Sequence, residues 1–414
     1  MKKLLVLTPR FPYPVIGGDR LRIFQVCKAL SERFELTLLS LCDTRDEMTF
    51  SCPEDGVFSR VERVFLPRWR SWFQCLAALP GTTPLQVAYY RDRGFERKLG
   101  ELLPEHDAAL AHLIRTGDAL RRFPGLKFLE MTDAISLNYL RVQQSTPNLA
   151  SFRARVFALE ARRLKAYETQ AADNFDCVFL VSDIDRQFLF AEWPNRLRKA
   201  MVVSNGVAIE TMPYAFSGPG TDIVFIGNLM SLQNQDAAKH MAAEILPLVR
   251  AVLPNVNLRV IGRIGADVRE ALQRYPGVIV SGEVADVAQA ASGAGVGVCP
   301  LRLGAGVQNK VLEYMALGLP TVTTSLGLEG FAAKDGEELL VADDAVSFAA
   351  AVLSLIQDRQ GAQRLALAGR LYVETHHAWS SQLKPMGDVI AQLLEAQGNG
   401  GGHRFREAFR ADRV

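Results

Sequence analysis

Short, almost purely apolar runs alternate with longer amphipathic segments along this chain of 414 residues, and the pattern runs through twice. In the first half residues 4–7, 36–40, 63–66, 108–113, 127–130, 177–181 and 200–203 read as strands, with helical segments such as 20–32 and 152–171 between them. The second half repeats this with strands at 223–227, 258–261, 278–281, 296–300, 321–323 and 339–341. Its helices fall at 236–252, 266–274, 286–291, 310–317, 345–358 and 361–377. Strands that are apolar on both faces, alternating with helices, predict parallel sheets covered on both sides. Two such halves predict an α/β protein of two doubly wound, Rossmann-like domains, with ligand bound at the strand C-termini in a central cleft. Residues 1–212 form the first domain. Residues 213–220, with two prolines and two glycines, read as a linker. Residues 221–378 form the second domain, 379–397 a last helix, and 398–414 a mobile basic tail.

Several function classes drop out on composition. Hydrophobic residues are 49% and charged residues 22%, the balance of a folded chain rather than a disordered one. Lys and Arg exceed Asp and Glu by only two charges, which gives no electrostatic footing for general nucleic-acid binding. No apolar run reaches the roughly 18 residues of a membrane span. The apolar start at residues 4–7 stops at Thr8-Pro9-Arg10, too short for a signal peptide core, so a cytoplasmic protein is expected. The six cysteines form no C-x-x-C pair and the six histidines are scattered, which fits a reduced compartment and no metal site.

The residues that carry chemistry cluster at predicted strand ends. Gly17-Gly18 follows the first strand, where a missing Cβ lets a ligand approach the backbone and the next helix offers free N–H groups. The spacing is not G-x-G-x-x-G, and neither half opens with that fingerprint, so a dehydrogenase is disfavoured. Residues 300–322 are the most specific stretch. A strand end is followed by Gly304-Ala305-Gly306-Val307-Gln308-Asn309-Lys310, then by Glu313-Tyr314-Met315-Ala316-Leu317-Gly318-Leu319-Pro320-Thr321-Val322. A helix starting near Gln308 would aim its positive end at a diphosphate. Lys310 opposes that dipole and calls for a phosphate partner. Glu313 reads as an acceptor for two sugar hydroxyls or as a solvated helix position.

That stretch resembles the donor site of family 4 glycosyltransferases of the GT-B fold, in particular a bacterial polysaccharide-type subgroup with Gly-Ala-Gly-x-Gln-Asn-Lys in the loop. The resemblance implies that Glu313 matches the second Glu of a Glu-x7-Glu element, whose first Glu is replaced by Ala305. Gly17 and Gly18 match the glycine loop of the N-terminal domain, and Ser204-Asn205-Gly206-Val207 matches the turn before the linker. Phe225-Ile226-Gly227-Asn228-Leu229 matches a Phe-x-Gly-Arg-Leu element, with Asn228 in place of Arg, and the Lys usual a few residues later is missing. Residues 281–286 resemble the loop beside the nucleotide base, and Trp379 resembles an aromatic at the start of a helix that returns to the N-terminal domain. The resemblance thus implies a retaining, metal-independent transferase that uses a nucleotide sugar as co-substrate and no cofactor. Its acceptor is a glycan or lipid-linked sugar. Donor contacts are expected from Gly17, Gly18, Asn228, Arg263, Arg302, Gly306, Val307, Gln308, Asn309, Lys310 and Glu313.

The acceptor side rests on Arg115 and Asp133, each just past a predicted strand. Asp133 stands about where many family members have a His facing the reacting sugar. It reads as the residue that orients or deprotonates the acceptor hydroxyl, or as a helix N-cap. Arg115 reads as an acceptor-phosphate ligand or as a strand-end contact. Residues 68–79, rich in Trp and Arg, read as a core helix with solvated arginines or as a peripheral membrane contact at the inner face of the membrane. The basic series Arg153, Arg155, Arg162, Arg163 and Lys165 has the same two readings. Two other functions stay open: a nucleotide-sugar epimerase of the same fold, and a non-catalytic sugar- or nucleotide-binding subunit.

Overall fold

The computed structural model describes residues 1–145, 152–214, 220–284, 286–304 and 307–398. The tail 399–414, most of the linker (215–219), Ala285, Ala305 and Gly306 therefore lie outside the described residues, as do the side chains of Arg153 and Arg155. The chain divides into two compact units. One comprises Met1–Ser204 with the C-terminal segment from Leu383, and the other is Asn205–Gln382. The division at Ser204 falls before the expected linker, just after the strand that ends at Val202.

Unit 1 holds β1 (Lys2–Thr8), β2 (Phe34–Cys42), β3 (Arg60–Phe65), β4 (Ala108–His112), β5 (Leu126–Thr132), β6 (Cys177–Leu180) and β7 (Ala200–Val202). They form one parallel sheet in the order β3-β2-β1-β4-β5-β6-β7. The interior of β1 and all of β4 are buried, because helices cover both faces and leave no room for an alternating polar side. The helices that matter here are α1 (Gly18–Ser31), α2 (Arg68–Ala78), α3 (Leu113–Leu120), α4 (Ile135–Ser145), α5 (Phe152–Asn174) and α6 (Asp183–Phe190). Strand order reverses between β1 and β4, and the crevice beyond their C-terminal ends is where such sheets bind ligands.

Unit 2 repeats the plan with β8 (Asp222–Ile226), β9 (Leu258–Ile261), β10 (Val278–Gly282), β11 (Ala294–Cys299), β12 (Thr321–Thr323) and β13 (Leu340–Val341). The order is β10-β9-β8-β11-β12-β13, all parallel, with the reversal between β8 and β11. The helix α7 (Asn309–Ala316) follows β11 at that reversal. The last helix, α8 (Trp379–Gly398), starts in unit 2 and from Leu383 onward belongs to unit 1. There Arg33 pairs with Asp388. Two doubly wound α/β units are what the periodicity predicts. Each expected strand forms with its ends shifted by three residues or fewer. Among the described residues, no helix is long and apolar enough to cross a membrane.

Candidate active site

In unit 1 the C-terminal ends of β4 and β5 are tied to α1 by a buried charge network. Glu130, near the end of β5, is fully buried. Its carboxylate accepts from Arg22 Nε of α1 at 3.3 Å and meets His112 Nδ1 of β4 at 2.5 Å. Burial alone would raise its pKa, but the Arg22 guanidinium and His112 outweigh that and hold it down to about 2. Arg22, also fully buried, spends its two terminal nitrogens on the carbonyls of Val203 and Ser204, both at 2.7 Å. The same carboxylate takes the Thr132 N–H at 3.1 Å. That bond supports an unusual backbone. Leu113 and Thr132, directly after β4 and at the end of β5, both have φ of +65°. Non-glycine residues avoid that region and hold it only where the surroundings enforce it.

The strained turn at Thr132 presents Asp133. The helix N-cap reading of this residue does not hold. The N–H groups that open α4 are filled from elsewhere: Glu168 of α5 accepts from Ile135 N at 2.8 Å and from Ser136 N at 3.2 Å. Asp185 of α6 accepts from Ala134 N at 3.0 Å. Asp133 is therefore not the cap, and its carboxylate accepts from the Asn138 side chain at 3.1 Å. The residue is partly exposed. Even so, burial, then the neighbouring Asp185 charge, pushes its carboxyl up to about 7 against the opposing pull of Arg115. Arg115 lies in α3 rather than at a bare strand end. It donates through Nη2 to Gln86 at 3.0 Å and stacks 5.4 Å from the Tyr90 ring centre, and its buried Nε has no acceptor among the described residues. At the end of β1, Gly17 has φ of +93° and opens α1, with no side chain capping the first turn. Gly17 and Gly18 are both exposed.

In unit 2 the helix α7 is pinned to the sheet by Tyr314. Its hydroxyl donates to Val298 O of β11 at 3.1 Å and accepts from Ile226 N of β8 at 2.7 Å. Gly297 makes room for the ring: a Cβ there would lie 2.5 Å from Tyr314 Cγ. This fixes the helix N-terminus beside the ends of β8 and β11. Gln308 is the N-cap residue and no side chain caps the helix. Lys310, in the first turn, is buried, with 8% of its surface exposed. Its ammonium donates to Gln308 Oε1 at 3.1 Å and lies 5.8 Å from the Phe225 ring centre. Among the described residues it has no carboxylate within ion-pair distance and no second acceptor. An ammonium carries three donors, so this one is under-satisfied in a buried position. One turn on, burial raises the Glu313 carboxyl, with Lys310 opposing. Asn309 accepts from Asn205 Nδ2 at 2.8 Å, and Val307 is buried at the loop's end.

The remaining donor candidates separate into free and engaged. Asn228 and Arg263 follow β8 and β9 and are exposed. Asn228 Oδ1 accepts from Met230 N at 3.1 Å, so the side chain builds its own turn and keeps its amide donors. The Arg263 guanidinium has no protein partner among the described residues. Arg302 departs from expectation. Asp236 grips it through Nε at 3.1 Å and Nη2 at 2.9 Å, and Glu244 takes Nη1 at 3.3 Å. Two carboxylates already neutralise it, so a phosphate would have to compete with both.

With this geometry in place, the comparisons become specific. Residues 220–358 match the family model described as glycosyl transferases group 1. That match spans about a third of the chain, and over it the chain is similar to group 1 glycosyl transferases. The matched segment contains β8 to β13 and α7, and so every donor candidate of unit 2. A Klebsiella pneumoniae protein described as an uncharacterized 44.6 kDa protein in the cps region is 25% identical over 164 residues. That match covers 38% of this chain and 42% of the relative's length. Among solved structures, sucrose-phosphate synthase from Thermosynechococcus elongatus superposes with a TM-score of 0.71 at 17% identity, covering 96% of this chain and all of that one. The Anabaena protein HepE, in complex with UDP and glucose, gives 0.66 at 14% identity over 95% of this chain and all of that one. WaaG, a glycosyltransferase involved in lipopolysaccharide biosynthesis, gives 0.63 at 14% identity over 94% of this chain and 99% of its own. The fold is therefore GT-B: two Rossmann-like parallel sheets with flanking helices.

Sequence reasoning missed Arg22, Glu168 and Asp185. A glutamate inside the apolar run of β5 is the one signal that hinted at a buried partner for Glu130. Nothing in the sequence pairs residues 108 positions apart, as Arg22 and Glu130 are.

Proposed function

We propose that the chain is a glycosyltransferase that moves a sugar from a nucleoside-diphosphate donor to a glycan or lipid-linked acceptor, in polysaccharide or glycoconjugate biosynthesis. The observation that carries this reading is Lys310: a buried ammonium with a single neutral acceptor among the described residues, at the uncapped N-terminus of α7, inside the segment that matches group 1 glycosyl transferases. A diphosphate fits this place. It would fill the open ammonium donors and the first-turn N–H groups with charge-assisted hydrogen bonds. As the glycosidic bond to the donor breaks, negative charge builds on that diphosphate, and Lys310 with the helix terminus stabilises it without reorganising. Arg263 supplies further charge at the end of β9. Glu313 accepts from the sugar hydroxyls.

On the acceptor side, Asp133 takes the proton of the attacking hydroxyl and Arg115 holds a polar or phosphate group of the acceptor. A carboxyl poised near neutrality suits proton transfer better than one of ordinary acidity. Retention of configuration and independence of metal belong to the same reading, since cations of the chain take the place of a metal at the diphosphate. Support for the donor class comes from HepE, whose structures hold UDP and UDP-glucose. Support for the biosynthetic setting comes from WaaG and from the relative in a cps region.

Incubating the chain with radiolabelled nucleotide sugars and a panel of lipid-linked and free glycan acceptors tests this. Acceptor-dependent release of nucleoside diphosphate with label on the acceptor is expected. Conversion of the nucleotide sugar to an epimer without acceptor would replace the reading by an epimerase. Nucleotide binding without turnover on any acceptor would replace it by a non-catalytic subunit.

A further inference from the structure

One face of α2 is apolar and turned away from the protein. Trp69, Trp72, Phe73 and Leu76 follow the i, i+3, i+4, i+7 spacing of a single helix stripe. They are exposed by 69%, 66%, 67% and 63%, and Leu79 continues the patch. The opposite side anchors the helix: Ser71 is fully buried, and Cys75 Sγ contacts Leu85 O at 3.5 Å. Arg163 of α5 ties the end of the patch down by donating to Leu79 O at 2.6 Å. The stripe is thus held outward by packing rather than by fraying. The three aromatics alone expose on the order of 400 Å². A contiguous patch of that size on a soluble unit marks an interaction surface.

Charge identifies the occupant. From Arg63 to Arg91 the chain contains no Asp or Glu. Arg68 is exposed in the first turn of α2, and Arg70 lies 5.3 Å from the Trp69 ring centre. Exposed Arg93 opens the helix Arg93–Leu102, whose N-cap Asp92 stands 3.5 Å from Arg70. Pairing with a second copy about a two-fold axis would set these arginines against each other, with Asp92 already engaged by Arg70. An anionic lipid headgroup supplies the missing charge, while Trp and Phe rings suit the headgroup level.

We propose that α2 docks unit 1 onto an anionic bilayer, with the Trp69–Trp72–Phe73–Leu76 face seated in the interface and the exposed Arg68 and Arg93 on lipid phosphates. An 11-residue helix is about 16 Å long, too short to span, so it lies in the plane of the surface. The inference does not depend on the transferase reading.

The full chain should be sedimented with vesicles of phosphatidylcholine alone and with added phosphatidylglycerol, while tryptophan emission is followed. Binding to the anionic vesicles, a blue shift, and weakening by salt are expected. The double variant Trp69→Ser/Phe73→Ser should lose about tenfold or more in partitioning with its melting temperature unchanged, since both side chains are exposed. Arg68→Glu/Arg93→Glu should lose binding to anionic vesicles. Wild-type chain that binds neither vesicle overturns the proposal, as does a Trp69→Ser/Phe73→Ser variant that binds like wild type. A dimer in solution that the same variant dissociates also overturns it, because the occupant would then be a second copy.

Discussion

Replacing Lys310 with methionine should have opposite effects on stability and on binding. Methionine keeps the unbranched stem that fills the space beside Phe225 and removes the ammonium. In the ligand-free protein that ammonium is buried with one of three donors satisfied among the described residues. An unmet buried donor costs about 1–3 kcal/mol. The neighbouring Glu313 carboxyl, already raised by burial, rises further once the opposing cation is gone. Lys310→Met should therefore be neutral or stabilising by about 1–2 kcal/mol. In calorimetry that is a rise of up to several degrees, at about 2–4 °C per kcal/mol for a unit of 150–250 residues. Nucleotide binding should go the other way. Hydrogen bonds to a charged group contribute about 1.5–3 kcal/mol, which is roughly a 10- to 150-fold rise in Kd. Isothermal titration with the preferred nucleoside diphosphate, set beside unligated melting curves, gives both numbers. A variant that loses 2 kcal/mol or more of stability and binds nucleotide as before would show that Lys310 serves the fold, and the reasoning would fail.

Other expectations follow from the same contacts. Because the Asp133 carboxyl sits near 7, transfer at limiting acceptor should rise as pH passes through about 7, and Asp133→Asn should remove that limb and most of the rate. Its folded value lies above the ordinary 3.8, so ionising it costs stability as pH rises from 3.8 through 7. Asp133→Asn should then gain more in melting temperature over wild type at pH 8 than at pH 5. Glu130→Gln leaves Arg22 buried without its carboxylate and should cost about 3–5 kcal/mol in denaturant unfolding. Glu130 is held to about 2, below its ordinary 4.5. Its contribution is complete above 4.5 and fades as pH falls toward 2, and the gap between Glu130→Gln and wild type should shrink over that window. Gly297→Ala places a methyl against the Tyr314 ring, should cost about 1–3 kcal/mol, and should weaken nucleotide binding by loosening α7.

The sheets were legible because strands buried on both faces are continuous apolar runs, a signal local to each strand. The donor loop was legible for a similar reason: Gln308 to Glu313 lie within one turn and a half, so the sequence displays the cluster whole. Arg302 shows where that legibility ends. It stands in the same loop, yet its role is set by Asp236 and Glu244, 66 and 58 residues away, brought to it by the sheet. The reading of Asp133 likewise depended on whether another group capped α4. Glu168 and Asp185 do so from two later helices, which no local pattern announces. Strain at Leu113 and Thr132 is equally invisible, since neither residue type favours positive φ.

The central claim is that unit 2 holds a nucleoside diphosphate at the start of α7. A calorimetric titration of the wild-type chain with UDP, GDP, ADP and dTDP tests it most directly, with melting curves alongside. A ligand bound to the folded state alone raises stability by RT ln(1 + [L]/Kd), about 2.7 kcal/mol at a hundredfold excess over Kd. The account predicts one diphosphate bound at one site per chain, and loss of that binding in Lys310→Met. A folded chain that binds none of the four, or binds one equally well without Lys310, would contradict it.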